Sequence, residues 1–255
     1  MLFSLEGQKA LIVGIANEHS IAWGCAKALR EQGADLAITY LNAKAEPHVR
    51  PLAEELGAEI ILPLDVSQPG QLEAVFDEIT ARWGRLDTLV HSIAFAPRDD
   101  LHGRVVDCSA EGFTMAMDVS VHSFLRMIRL AEPLMHEGGT CLTVSFFGSV
   151  RVVKDYNMMG PVKAALESAV RYIAAELGEK GISVHALSPG PLKTRAASGI
   201  SHFDEMLNAA AARAPMHVLA SIEDVGGMAA FLASPQARNL TGGVHEIDGG
   251  YSIIA

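Results

Sequence analysis

The chain has 255 residues, 49% hydrophobic and 20% charged, and its 30 acidic against 20 basic side chains leave a formal net charge of −10. That apolar content suffices for one large core, and the acidic balance without any basic run argues against a nucleic-acid partner. No window approaches ~18 uninterrupted apolar residues, so no membrane insertion is expected; with no basic-then-apolar leader and only Cys25, Cys108 and Cys141, widely spaced, the chain reads as cytoplasmic with reduced, packing cysteines.

Apolar runs alternate with amphipathic segments along the whole chain. KALIVGI is a first buried strand, and SIAWGCAKALREQG is a helix that Gly33 ends. DLAITYL is a second strand. AEPHVRPLAEELG is a helix whose two prolines predict a late start. EIILPLDV, QLEAVFDEITARWG and LDTLVHSIA continue as strand, helix and strand. FAPRDDLHGRVVDCS reads as a long polar loop, followed by a helix from Glu111 to His136. TCLTVSFFG is a fifth strand, residues 155–181 a long helix, and ISVHALSPG a sixth strand. Two helices, SHFDEMLNAAAARA and IEDVGGMAAFLAS, precede a seventh strand in GGVHEIDGG. Strands this rich in Val, Ile and Leu, alternating with helices, predict an α/β fold. It is a doubly wound, parallel, seven-stranded sheet with helices on both faces, one domain over 1–255. Ligands then bind at the carboxyl ends of the strands.

The first strand runs into a glycine turn, Gly14-x5-Ser20-x3-Gly24. Gly14 turns without a Cβ, Ser20 and Ile21 open a helix whose N–H groups face an anion, and Ser20 can cap. Ala22 and Gly24 keep the first turn close to the sheet. After the second strand, Tyr40, Leu41 and Asn42 are neither the acidic residue that marks NAD nor the Arg that marks NADP, and Lys44 is a solvated side chain or a phosphate contact. NADH is the expectation, with NADPH open. Asp65 either accepts from the adenine amino group, with Val66 offering backbone, or caps the segment after Ser67.

Tyr156 and Lys163 are seven positions apart. On a helix that separation is ~700° of rotation and ~10 Å of rise, which puts both on one face with Lys163 leaning back toward Tyr156. A nearby cation stabilises a phenolate and sharpens its hydrogen bond to an oxyanion.

With these motifs in order, the chain resembles the short-chain dehydrogenase/reductase superfamily, of Rossmann fold. Within it, the chain resembles the divergent branch of bacterial enoyl-acyl carrier protein reductases. The commoner Tyr-x3-Lys motif fails because position 160 is Gly, whereas the divergent Tyr-x6-Lys fits Tyr156 and Lys163. HSIAFAP at 91–97, Asp118, SPGPLKTRAASGI at 188–200 and IDGGYSI fit the same pattern.

The resemblance implies NAD(P)H-dependent reduction of a trans-2-enoyl thioester, carried by acyl carrier protein or coenzyme A, in fatty acid synthesis. Tyr156 would hydrogen-bond the thioester oxygen, and Lys163 would hold the nicotinamide ribose. Ser92, Ile93, Ala94, Leu192, Thr194 and Ala196 would meet the cofactor. Ala96, Phe146, Met159, Ile200, Phe203 and Met206 would meet the acyl group, with an acyl-binding segment at about 192–215 and a cofactor-covering one at 188–200. For Met158 and Met159, core packing is the alternative. It further implies a homotetramer built on the helices at 111–136 and 155–178.

Two departures stand out. Phe146 occupies the position of a second active-site Tyr, ten residues before Tyr156. It keeps the ring without the donor, so Ser145 is either a second donor or a strand-end residue satisfying backbone. Asp204 and Glu205 lie where relatives carry basic residues, so docking of an acidic carrier protein would fall to Arg195 and Arg213 or give way to a coenzyme A thioester. A carbonyl reductase or alcohol dehydrogenase using Tyr156, Lys163 and Ser145 is the alternative activity, and a non-catalytic cofactor binder a third. The absence of a G-x-S-x-G elbow disfavours a hydrolase. His91, His122 and His217 are too scattered to predict a metal site.

Overall fold

A computed structural model of the chain describes residues 3–192 and 203–254. The strands are β1 Lys9–Val13, β2 Asp35–Tyr40, β3 Ile60–Pro63, β4 Thr88–His91, β5 Gly139–Val144, β6 Ile182–Pro189 and β7 Val244–Ile247. They form one sheet in the order β3-β2-β1-β4-β5-β6-β7. Every pairing is parallel, so each connection must cross over on a face. The order reverses between β1 and β4, which opens a crevice at their carboxyl ends.

Period-two alternation distributes the strands' side chains between two cores. Leu11 and Val13 of β1 join one, and Ala10 and Ile12 join the other. The first core takes in α3 (Gln71–Arg82), α5 (Ala110–Met117), α6 (Ser123–Ala131) and α7 (Met159–Leu177). The second lies under α1 (Ile21–Glu31), α2 (Glu46–Glu55) and α9 (Ile222–Leu232).

Several expectations shift. Helix α2 starts at Glu46 with Pro47 in its first turn, where a missing N–H costs nothing, and it absorbs Pro51. The loop after β4 contains α4 (Arg98–His102) and a 3-10 turn at Val105–Asp107. The helix expected from 111 to 136 is four pieces, α5, a π-helical turn at Asp118–His122, α6 and a 3-10 turn at Glu132–Leu134. The last long helices are α8 (Phe203–Arg213) and α9.

Gly24 answers to α9, not to the sheet. A Cβ on Gly24 would sit 2.1 Å from the Ile222 carbonyl oxygen, and one on Gly226 would sit 2.3 Å from the Gly24 carbonyl oxygen. The two backbones touch because neither residue has a side chain. Ser221 and Asp224 form a capping box that fixes where α9 begins, so the contact is held in register.

Candidate active site

The carboxyl end of β1 is built from backbone. Gly14 has φ +113°, and a Cβ there would lie 2.1 Å from the Ser92 carbonyl oxygen. Only glycine lets the ends of β1 and β4 approach this closely. Ser20 is the residue before α1, but its side chain does not cap the helix. Its Oγ instead accepts from the N–H groups of Ala16 (3.0 Å) and Asn17 (3.1 Å), folding the turn back on itself. The N–H groups of Ile21 and Ala22 therefore have no acceptor among the described residues. Two free donors at a helix N-terminus, beside a glycine cradle at the crevice, fit the pyrophosphate of a dinucleotide.

The neighbouring rim is less committed. Leu41 is exposed just past β2, and the Asn42 carboxamide oxygen accepts from the Lys44 and Ala45 N–H groups. Asp65 does not cap a helix, since α3 begins only at Gln71, after Gly70. Its carboxylate accepts from the Ser67 N–H at 2.9 Å and the Ser67 hydroxyl at 2.6 Å, holding the turn after β3. Val66 is buried in the first core.

Ser92 continues β4, its N–H donating to the Val13 carbonyl. Ile93 is half-buried and Ala94 exposed, and Ala96 is buried. This segment is braced by a residue that sequence reasoning missed. Ser120, fully buried in the π-helical turn, accepts from the Phe95 N–H and donates to the Phe95 carbonyl. Asp118 pairs with His122 and Arg126.

Side chains make up the carboxyl end of β5. Tyr156 is not on the helix with Lys163. It sits in a turn before α7, flanked by Asp155 (φ +63°) and Asn157 (φ +42°), two residue types that tolerate the left-handed region. The Asn157 side chain donates to the Leu101 carbonyl at 2.9 Å and ties that turn to α4. The Tyr156 ring packs edge-on against Phe146 at 4.9 Å, over Gly148, where a Cβ would come within 2.6 Å of the ring. Phe146 also packs on Phe147, which meets Tyr251. The Tyr156 hydroxyl has no hydrogen-bond partner among the described residues.

Lys163 is on α7 and buried, and its ammonium donates to the Val144 carbonyl at 2.7 Å. Burial pulls it down to about 8, against the opposing pull of Glu167. Burial, followed by the Glu167 charge, pushes the Tyr156 phenol well up. Burial thus favours the protonated phenol at Tyr156, the form that can donate a hydrogen bond.

Ser145 fits neither of its two expected roles. Buried, it donates its hydroxyl to the Glu167 carboxylate at 2.5 Å, so it is neither a free second donor nor a backbone partner through its side chain. Glu167 was the other residue missed. Its signal was its place four residues after Lys163, on the same helical face. His91, fully buried on β4, is held between Thr143 (2.9 Å) and Ser123 (2.8 Å), and burial takes it down to about 3. Met158 and Met159 are packed in the first core, the alternative weighed for them. Leu192 packs against the second core. Thr194, Arg195, Ala196 and Ile200 lie outside the described residues, as do the side chains of Phe203, Asp204 and Met206. No cluster of three metal-ligating side chains occurs among the described residues, and no helix among them is long and apolar enough to cross a membrane.

The family model described as enoyl-(acyl carrier protein) reductase matches residues 14–252. An enoyl-[acyl-carrier-protein] reductase [NADH] of Rickettsia felis is 44% identical over 98% of this chain and 96% of its own. The solved enoyl-(acyl-carrier-protein) reductase of Anaplasma phagocytophilum, in complex with NAD, superposes with a TM-score of 0.94. It is 43% identical over 98% of this chain and 96% of its own. That of Bacillus cereus, with NADP+ and indole naphthyridinone, gives 0.96 at 41% identity over both full chains.

Proposed function

We propose, for a chain that belongs to the enoyl-(acyl carrier protein) reductase family, that Tyr156 and Lys163 carry the reduction. The chain is an NADH-dependent oxidoreductase that reduces the 2,3 double bond of an enoyl thioester in fatty acid synthesis.

The observation that carries the site reading is that one short segment, 144–148, holds both groups. Val144 takes the Lys163 ammonium, and Phe146 with Gly148 seats the Tyr156 ring. NADH, when bound, supplies the hydride for the β-carbon of the enoyl group. The Ile21 and Ala22 N–H groups would hold its pyrophosphate beside Gly14. Leu41, the Asp65 and Val66 turn and the Ser92-Ile93-Ala94 segment would meet the rest of the cofactor. As the double bond accepts hydride, charge collects on the thioester oxygen. The protonated Tyr156 hydroxyl, with no competing partner among the described residues, donates to that oxygen. Such a donor is worth about 3 kcal/mol in the transition state. Lys163 adds positive potential and would hold the nicotinamide ribose. Phe146 supplies a wall without a donor, so the oxyanion relies on Tyr156 alone. With Ser145 committed to Glu167, the carbonyl-reductase alternative lacks its second donor.

We further propose a single domain that includes an acyl-binding segment at about 192–215. Exposed Phe113, Met115, Leu125 and Tyr172, on α5, α6 and α7, support a tetramer packed on those helices. Acidic residues on α8 favour a coenzyme A thioester, or a carrier that avoids that helix. The test pairs crotonyl thioesters of coenzyme A and acyl carrier protein with NADH and NADPH, alongside a 3-oxoacyl thioester. Turnover of the enoyl substrates with NADH is expected, and turnover of the oxo substrate alone would refute the site reading. Light scattering after gel filtration measures the assembly, and a monomer would refute the tetramer.

A further inference from the structure

We propose that Glu167, anchored by Ser145, is a positioning residue of the reduction that keeps the Lys163 ammonium charged and set against the end of β5. This rests on the assignment of Lys163 to the site. The carboxylate is buried, one helical turn after a buried ammonium, yet the two do not touch as an ion pair. Each instead grips one of two consecutive residues at the strand end. Lys163 donates to the Val144 carbonyl at 2.7 Å, and Ser145 donates to Glu167 at 2.5 Å. The Ser145 N–H is also fixed, to the Leu187 carbonyl of β6 at 2.7 Å. A buried carboxylate is costly unless it is hydrogen-bonded and has a counter-charge nearby. Glu167 has both, and through the same strand end it sets where the Lys163 charge sits.

The surrounding charges leave this role to Glu167. His91 on β4 is kept neutral by burial first and by the Lys163 charge second, so it cannot serve as a counter-ion. Tyr156, in the turn before α7, is held protonated. Glu246 on β7 is pushed up by burial first, with the Asp248 and Glu167 charges adding to the rise. On the helical side, Asp118 is engaged by His122 and Arg126. Glu167 alone opposes the desolvation that brings Lys163 to about 8.

The test uses the full chain and has two readouts. The first is the thermal midpoint of the ligand-free protein against pH, as the difference between the wild type and Lys163→Met. A lysine held below its unfolded value destabilises at low pH and is relieved as pH rises through its folded value. For Glu167→Gln, against Glu167→Gln/Lys163→Met, that rise is expected to begin about one pH unit lower. The second is the alkaline limb of kcat/KM for a crotonyl thioester, which should move down by the same amount. Ser145→Ala should move both readouts in the same direction by less. A Glu167→Gln protein with a lower midpoint at every pH but an unmoved onset and limb would make Glu167 a packing residue only and overturn the proposal. If Glu167→Gln does not fold, an unmoved onset in Ser145→Ala overturns it equally. A wild type that turns over no enoyl thioester would refute the reductase site reading instead, while the ligand-free titration still judges Glu167.

Discussion

The two rims of the sheet solve different problems with different materials. At β1 the turn offers backbone: Gly14, the folded-back Ser20 and two unclaimed N–H groups. At β5 it offers side chains: Phe146, Tyr156, Lys163, Ser145 and Glu167. A phosphate presents the same charge in every dinucleotide, so fixed amide dipoles suffice to hold it. A developing oxyanion needs a donor that can be tuned, and that takes residues whose proton affinity burial can shift. The first rim should therefore break through shape and the second through chemistry, with His91 on β4 between them, shifted by burial first and by the Lys163 charge second.

The largest effect falls on the first rim. Gly14→Ala puts a Cβ into the Ser92 carbonyl at a φ that L-residues avoid, and is expected to cost about 5 kcal/mol in urea unfolding, with NADH binding lost. Next is His91. Its folded value of about 3 lies below its ordinary 6.5. The unfolded chain then binds the extra proton first, so stability is complete above pH ~6.5 and is lost as pH falls toward ~3. The loss is on the order of 5 kcal/mol, and His91→Gln should flatten that part of the profile of midpoint against pH. Tyr156→Phe should lower kcat roughly 100-fold, about 3 kcal/mol, while the unfolding midpoint barely moves. Equal losses of stability and rate would mean that the second rim, too, works by shape. The smallest effect is Phe146→Tyr. It adds a hydroxyl beside a ring contact already made, and should change kcat/KM by less than about threefold. A tenfold gain would show that one donor is not enough.

These two rims also differed in how far they could be read from residues. The sheet was legible because parallel strands buried on both faces leave long Val-Ile-Leu runs, and Gly14 was legible because a strand-turn-helix needs it. The spacing of Tyr156 and Lys163 was legible as a motif but misleading as geometry. Seven residues suggest two helical turns, yet positive φ values at Asp155 and Asn157 place Tyr156 in a turn before the helix starts. Local pattern cannot register a left-handed residue whose side chain merely tolerates it. Ser20 looked like a cap because its type and position fit one, but two nearer N–H groups took its oxygen. Glu167 and Ser120 escaped notice because their meaning lies in partners 22 and 25 residues away. The direction of the Tyr156 shift was invisible as well, since it depends on how thoroughly the ring is desolvated and not on which charge is its neighbour in sequence.

The touching glycines of α1 and α9 carry a consequence for synthesis. The phosphate grip proposed for Ile21 and Ala22 is encoded within the first two dozen residues, but the helix presenting it is clamped by a segment some 200 positions later. A nascent chain emerging N-terminus first therefore exposes its nucleotide fingerprint long before the clamp exists. Competence to hold NADH should switch on only when the last helix docks, so a ribosome-stalled or C-terminally clipped chain would carry the fingerprint but bind no cofactor.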